Sequence, residues 1–242
     1  MHQESPAISH GPEQPWQTCV VPFAVFIAAG LLEPSPGSLA GLVGIPDSAY
    51  PVAYAVRLAA TVAAVAVAWP RIRRWAGSTT WWPIPLGLAL VVPWIVLASL
   101  QREIGWTSSA LARSGFNPFE HYGAGTAAAW AFVALRAIGL VVVVPIVEEL
   151  FLRGFLMRYV IDETFWTVPF GKLTFASAAA CILYAASTHP AEVIAAICWF
   201  SVVSGIAAAT RRPIDTILAH AATNLARSEE HTSELQSRVD IS

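Results

Sequence analysis

Long, uninterrupted apolar runs constrain this chain more than any other feature. Windows of about 19 residues select candidate spans at 18–32, 50–70, 82–100, 126–161, 173–188, 191–210 and 213–226. Several of these runs approach the roughly 20 residues that a helix needs to cross a bilayer. Charged residues make up only 12% of the chain, about half their share in a soluble domain. We therefore expect an integral membrane protein.

The runs favour helices over barrel strands. They are rich in Ala, Val, Leu and Ile and lack an alternating polar pattern. The predicted fold is all-α, a polytopic transmembrane helix bundle with about seven spans. The fourth run is too long for one straight crossing, because 1.5 Å per residue gives it roughly 50 Å. We expect Pro145 to kink this helix, which places its membrane-embedded part at 137–161.

Composition divides the chain into four parts. Residues 1–17 form a polar N-terminal segment, 18–125 form N-terminal transmembrane helices and an interfacial loop, 126–226 form a helix bundle with the candidate site, and 227–242 form a tail. Residues 227–237 resemble translated sequencing adapter, and the composition changes abruptly there. We expect the natural sequence to end near Ala226. The tail should be mobile or loosely placed and contribute nothing to the fold or the site.

Basic residues between the spans predict the orientation in the membrane. Clusters follow the second, fourth and sixth spans: Arg71, Arg73 and Arg74; Arg158 and Lys172; Arg211 and Arg212. They fall on one side if the N-terminus is cytoplasmic, in line with the positive-inside bias. The net charge of −2 and the lack of a basic patch give no reason to expect nucleic acid as a partner. The expected partners are the lipid bilayer and a membrane-associated protein or peptide.

Polar residues late in the apolar runs mark a candidate site, because ionisable groups are costly inside a bilayer. Glu149 and Arg153 are i,i+4 neighbours with the acid on the N-terminal side, which favours an ion pair. Glu148 lies about 100° around the helix without such a partner, and a desolvated carboxylate suits a general base. His220 and Asn224, also i,i+4, could donate hydrogen bonds to an oxyanion. His189, from a different helix, could complete the site beside a water.

Each pattern also has a purely structural explanation. The Glu-Arg pair could be a plain ion pair, His189 beside Pro190 could be a loop histidine, and His220 with Asn224 could join helices. Two histidines and a glutamate could also form a zinc site, so metal dependence stays open. The functional alternatives to an enzyme are a non-catalytic membrane scaffold or immunity-type protein and a proton-coupled transporter. A pseudo-repeat between the two halves would favour transport, and none is evident.

Two segments resemble the first and last motifs of the CPBP family, the CAAX prenyl protease/bacteriocin-processing membrane proteases, also called Abi proteins. They read Val-Glu-Glu-Leu-Phe-Leu-Arg-Gly-Phe-Leu-Met-Arg at 147–158 and Leu-Ala-His-Ala-Ala-Thr-Asn at 218–224. The likeness covers about residues 135–226, and the flanking segments resemble the exosortase-associated branch. The family's middle motif, Phe-x-x-x-His, is not matched. Ala185 stands four residues before His189, and the nearest aromatic residue is Tyr184.

The resemblance implies an intramembrane endopeptidase in the bacterial inner (cytoplasmic) membrane. Its substrates would be membrane-associated or lipidated proteins, hydrolysed by a glutamate-activated water. By resemblance, Glu148 would activate this water with His189, and His220 and Asn224 would stabilise the oxyanion. Glu149 and Arg153 would shape the site. The resemblance favours a mechanism that requires no cofactor, while zinc stays possible from the residues alone.

Overall fold

The computed structural model describes residues 15–34, 38–106, 116–123 and 125–240, with side chains described as far as residue 228. Within these ranges the fold is all-α and contains no strand, as predicted. Residues 1–14 of the polar segment and 107–115 of the interfacial loop lie outside them. The helices are α1 Gln17–Gly30, α2 Leu39–Leu42, α3 Tyr50–Trp75, α4 Pro83–Ala89, α5 Val91–Glu103, α6 Pro118–Tyr122, α7 Ala127–Ile138, α8 Val144–Phe151, α9 Met157–Tyr159, α10 Phe175–Thr188, α11 Val193–Thr210 and α12 Pro213–Asp240.

Four helical stretches in the described residues are long and apolar enough to cross a bilayer. They are Asp47–Trp75, Pro83–Glu103, Ala127–Tyr159 and Val193–Thr210. The prediction of about seven spans is therefore somewhat too high. The apolar helices α1 and α10 have 14 residues each, about 21 Å at 1.5 Å per residue, which is less than the roughly 30 Å of a hydrocarbon core.

The stretch Ala127–Tyr159 is one long helix with two π-helical segments. The first, π1, is Gly139–Val143 and the second, π2, is Leu152–Leu156. They lie on either side of α8, which carries both glutamates of the first motif. The irregularity expected from Pro145 thus takes the form of a widened turn just before the proline. Such π-bulges occur often at functional sites.

The main core lies between α5, the long helix, α10, α11 and α12. It is built on large aromatic rings, Trp94 from α5, Tyr184 from α10, and Trp199 and Phe200 from α11, with Ala219 of α12 at its edge. The outer faces of the bundle are apolar, as on α3, where Val52, Val56 and Val67 are exposed. Exposed apolar surface of this extent marks a surface that faces lipid or a binding partner rather than water.

Two contacts fix the position of α12. A left-handed residue, Arg211 (φ 57°), ends α11, and Pro213 starts α12 two residues later. The buried Asp215 carboxylate then accepts hydrogen bonds from the Thr80 backbone N–H at 2.8 Å and from the hydroxyls of Thr79 and Thr80. Further along, α4 lies directly against α12. The two helices are so close that a Cβ added to Gly87 would stand 2.2 Å from the Ala219 carbonyl oxygen.

The tail does not begin at a break in the backbone. Helix α12 continues past Ala226 to Asp240, and the expectation of a mobile or loosely placed tail stays a prediction. Arg227 also pairs with Glu192 at 3.1 Å and lies over the Trp94 ring. The origin of residues 227–242 as an artefactual tail stays a prediction.

Candidate active site

The predicted Glu149–Arg153 ion pair is present and completely buried. Both side chains are 1% exposed, and one guanidinium nitrogen of Arg153 donates to Glu149 Oε1. The other terminal nitrogen donates to the Phe200 carbonyl at 2.9 Å, and the guanidinium lies 5.1 Å from that residue's ring. The pair therefore attaches the long helix to α11 as well as offsetting the charge on Glu149.

His220 brings the two motifs together. Its Nδ1 lies 3.1 Å from Glu149 Oε1, and its Nε2 lies 3.9 Å from Glu148 Oε2. A carboxylate oxygen can only accept, so in a hydrogen bond to an ionised Glu149 it is Nδ1 that carries the proton. Nε2 is then an acceptor in the neutral imidazole and a donor only in the imidazolium. The expected role of His220 as an oxyanion donor thus requires that it carry both protons.

The two adjacent glutamates have different surroundings. Glu149 is held by Arg153 and His220, whereas Glu148 keeps 13% of its side chain exposed and reaches only the far side of the imidazole. The buried Tyr184 hydroxyl lies near the Glu148 carboxylate, although it makes no hydrogen bond of ordinary geometry. Glu148, the less constrained of the two carboxylates, is therefore also the more exposed one.

His189 ends α10 and faces a cavity. Its Nδ1 is 2.9 Å from the Thr188 hydroxyl, and its ring packs against Trp94 and Phe200 at 5.6 and 5.5 Å. The loop after it is fixed by the buried Gln101 side chain, which accepts a hydrogen bond from the Ile194 backbone N–H at 3.0 Å. His189 thus belongs to the site region although its motif departs from the family pattern.

Asn224 is held by the first π-helical segment. Its Nδ2 donates to the Leu140 carbonyl at 2.8 Å. One of its two amide hydrogens is therefore used within the protein, which leaves the other for a ligand. Sequence reasoning placed Asn224 on the face of His220 but did not connect it with Leu140.

A small cavity of about 20 Å³ joins several of the predicted residues, which is room for about one water molecule. His189, His220 and Asn224 line it. The remaining lining residues are Trp94, Trp199, Phe200, Thr223 and Arg227. Glu148 is not among the described residues that line this cavity. His220 connects the two, because it lines the cavity and its Nε2 lies 3.9 Å from Glu148 Oε2.

Sequence reasoning missed Thr223, which fixes the cavity wall. Its hydroxyl donates to the carbonyls of Gly87 and Ala219 and accepts from Trp199 Nε1 at 3.1 Å. This contact holds the Trp199 ring against the His220 ring, with 4.5 Å between centroids. The signal was a buried hydroxyl one position before Asn224, which has no specific meaning without the tertiary fold.

Within the residues that the structure describes, no group of three His, Cys, Asp or Glu side chains could hold a metal ion. A catalytic zinc ordinarily takes three protein ligands. Here His220 is already bonded to Glu149 through Nδ1, and His189 to Thr188. Metal-bound imidazoles also make bonds of this kind through their second ring nitrogen, so these two contacts do not exclude a metal.

Comparison with known protein families gives a match in the same region of the chain. Residues 129–226 match the family described as Type II CAAX prenyl endopeptidase Rce1-like, which confirms the resemblance to CAAX proteases over that segment. The match covers all six predicted site residues. No curated protein and no solved structure matched the chain.

Proposed function

We propose that this protein is an intramembrane endopeptidase that hydrolyses peptide bonds of membrane-associated or lipidated proteins through a glutamate-activated water. The observation that carries the proposal is the position of His220 between two glutamates, 3.1 Å from Glu149 and 3.9 Å from Glu148. A structural ion pair needs only Glu149 and Arg153. The second carboxylate and the cavity beside the imidazole have no evident structural purpose.

In the proposed mechanism, a water molecule gives a proton to Glu148 while the water oxygen attacks the peptide carbonyl carbon. The developing oxyanion accepts hydrogen bonds from the Nε2–H of protonated His220 and from the free amide hydrogen of Asn224. His189, which also lines the cavity, orients the water. The C–N bond then breaks, and Glu148 passes its proton to the leaving amine.

Glu149 and Arg153 act one step away from the reaction. Glu149 accepts the Nδ1–H of His220 and so fixes which imidazole nitrogen faces the substrate. Arg153 pairs with Glu149 and ties it to α11. Glu149 thus orients the imidazole, in the way that a carboxylate orients a catalytic histidine in other hydrolases.

We also propose a location in the bacterial inner membrane with a cytoplasmic N-terminus, and membership of the exosortase-associated branch of the family. Two of the basic clusters used to predict orientation meet at one end of the bundle. The Ile214 N–H donates to the Ala76 carbonyl at 3.3 Å, which brings 71–76 next to 211–214. Positive charge gathered at one end is what the positive-inside bias predicts for the cytoplasmic side.

The test is hydrolysis by the purified chain in lipid vesicles. Membrane-tethered and lipidated peptides would serve as substrates, with cleavage followed by mass spectrometry. We expect Glu148→Gln to lower kcat by roughly 10²–10⁴-fold without loss of folded protein, because the amide keeps the shape but cannot accept the proton. The matched control is Glu163→Gln, the same change at an exposed glutamate, which should leave the rate unchanged.

The same assay addresses metal dependence. We expect hydrolysis to survive exhaustive chelation, since the proposed base and oxyanion donors are side chains. One zinc ion per chain, with activity lost on its removal and recovered on its return, would overturn the metal-free mechanism. Full activity in Glu148→Gln would overturn the role of Glu148.

A further inference from the structure

The starting observation is a backbone carbonyl that the long helix cannot satisfy by itself. In an α-helix, the Leu140 carbonyl would accept from the Val144 N–H, but in π1 that N–H donates to the Gly139 carbonyl. In π-helical register the donor would be residue 145. That residue is Pro145, which has no N–H.

The Leu140 carbonyl instead accepts the Asn224 amide at 2.8 Å. Leu140 lies on the exposed apolar surface of the long helix, and in a bilayer, where no water is available, an unsatisfied backbone carbonyl costs several kcal/mol. The side chain that satisfies it is therefore firmly placed. This hydrogen bond also decides which end of the amide is nitrogen, because only Nδ2 can donate to a carbonyl. The second Nδ2 hydrogen is left for the cavity that Asn224 lines.

We infer that Pro145 is a positioning residue for Asn224: by withholding its N–H from Leu140, it reserves that carbonyl for the Asn224 side chain. This inference rests on the proposed function, in which Asn224 donates to the oxyanion. Pro145 lies three residues before Glu148 on the same helix. The proline thus couples the first motif to the last through a backbone atom rather than through a side-chain contact.

The test restores the missing backbone N–H at position 145. In Pro145→Ala the backbone N–H at position 145 competes with Asn224 for the Leu140 carbonyl. We expect kcat to fall roughly tenfold, the effect of about 1.4 kcal/mol, with KM unchanged. Thermal stability should stay equal or rise, because an alanine in a helix interior is preferred over proline. A matched control is Pro70→Ala, also inside a helix but exposed on α3.

A double-mutant cycle separates coupling from simple damage. If Pro145 acts through Asn224, then Pro145→Ala should lower kcat in the parent protein but not further in Asn224→Ala. An equal loss in both backgrounds would overturn the inference. So would Pro145→Ala hydrolysing at the parent rate.

The four proteins of this cycle, the parent, the two single variants and the double variant, also distinguish failure of the inference from failure of the proposed function. Their unfolding free energies in detergent report the coupling between positions 145 and 224 without any hydrolysis. Non-additive stabilities together with no peptidase activity in the parent would refute the proposed function while leaving the Pro145–Asn224 coupling in place. Additive stabilities would refute the coupling itself.

Discussion

At the scale of single residues, Arg153 holds a charge in the interior by using both of its terminal nitrogens. One binds Glu149 and the other binds the Phe200 carbonyl. Replacing it with methionine keeps much of the volume but leaves the Glu149 carboxylate buried without its cation. We expect Arg153→Met to lower the free energy of unfolding by about 3–5 kcal/mol, measured by denaturant titration in detergent.

Two further variants make that measurement specific. Arg74→Met removes an exposed arginine at the end of α3 and should change stability little. Adding Glu149→Gln to Arg153→Met removes the uncompensated charge and should restore part of the lost stability. A double variant no more stable than Arg153→Met would mean that charge is not the cause.

The residue scale also shows which contacts a sequence can predict. The Glu149–Arg153 pair was predictable because i,i+4 spacing on a helix places the two side chains together. The bond from His220 to Glu149 was not, since it joins residues 71 positions apart and no periodicity specifies it. The role of Leu140 depends on a π-helical turn, which a hydropathy pattern does not distinguish from an α-helical one.

At the scale of elements, α4 approaches the backbone of α12 closely at Gly87. A Cβ there would meet the Ala219 carbonyl oxygen at 2.2 Å, so the two helices would have to separate. We expect Gly87→Ala to lower the free energy of unfolding by about 1–3 kcal/mol. It should also reduce peptide hydrolysis, because Ala219 adjoins His220.

Gly205 supplies the control for that change. It lies within α11, and a Cβ added to it would meet nothing within 4 Å. Gly205→Ala should therefore be neutral or stabilise the protein by up to about 1 kcal/mol, the helix preference of alanine over glycine. Equal effects at both positions would show that the α4–α12 contact is not tight.

The number of spans was the least predictable property at this scale. Apolar composition marks α1 and α10 as clearly as the longer helices, but at 14 residues each is too short to cross alone. The length of a helix depends on where it is capped. Thr174 and Ser177 form such a cap at the start of α10, and a window of hydropathy averages over it.

At the scale of the whole molecule, residues 227–240 extend α12 beyond the segment that matches the family. Arg227 connects this extension with the site region: it pairs with Glu192, the two side chains being 20% and 31% exposed, and it lies over the Trp94 ring. Pairs this exposed contribute about 0–1 kcal/mol. We therefore expect deletion after Ala226 to change the unfolding free energy by less than about 1 kcal/mol.

Membrane insertion and hydrolysis should likewise be unchanged by this deletion. Insertion would be followed by fractionation and hydrolysis by the vesicle assay. An Arg227→Ala variant of the full chain tests the contacts of Arg227 with Glu192 and Trp94 by themselves. Loss of folded protein on deletion would show that these residues are part of the natural fold.

The anchors of α12 also set the order in which the protein becomes active during synthesis. Asp215 and Thr223 bond to residues 135 and 136 positions earlier, Thr80 and Gly87. Because a chain emerges from its N-terminus, both glutamates enter the membrane while His220 is still unmade, and Arg153 from the same helix already balances Glu149. In the proposed mechanism, the nascent chain therefore carries the base Glu148 without the oxyanion donors His220 and Asn224, so hydrolysis of neighbouring proteins cannot begin until the last helix docks.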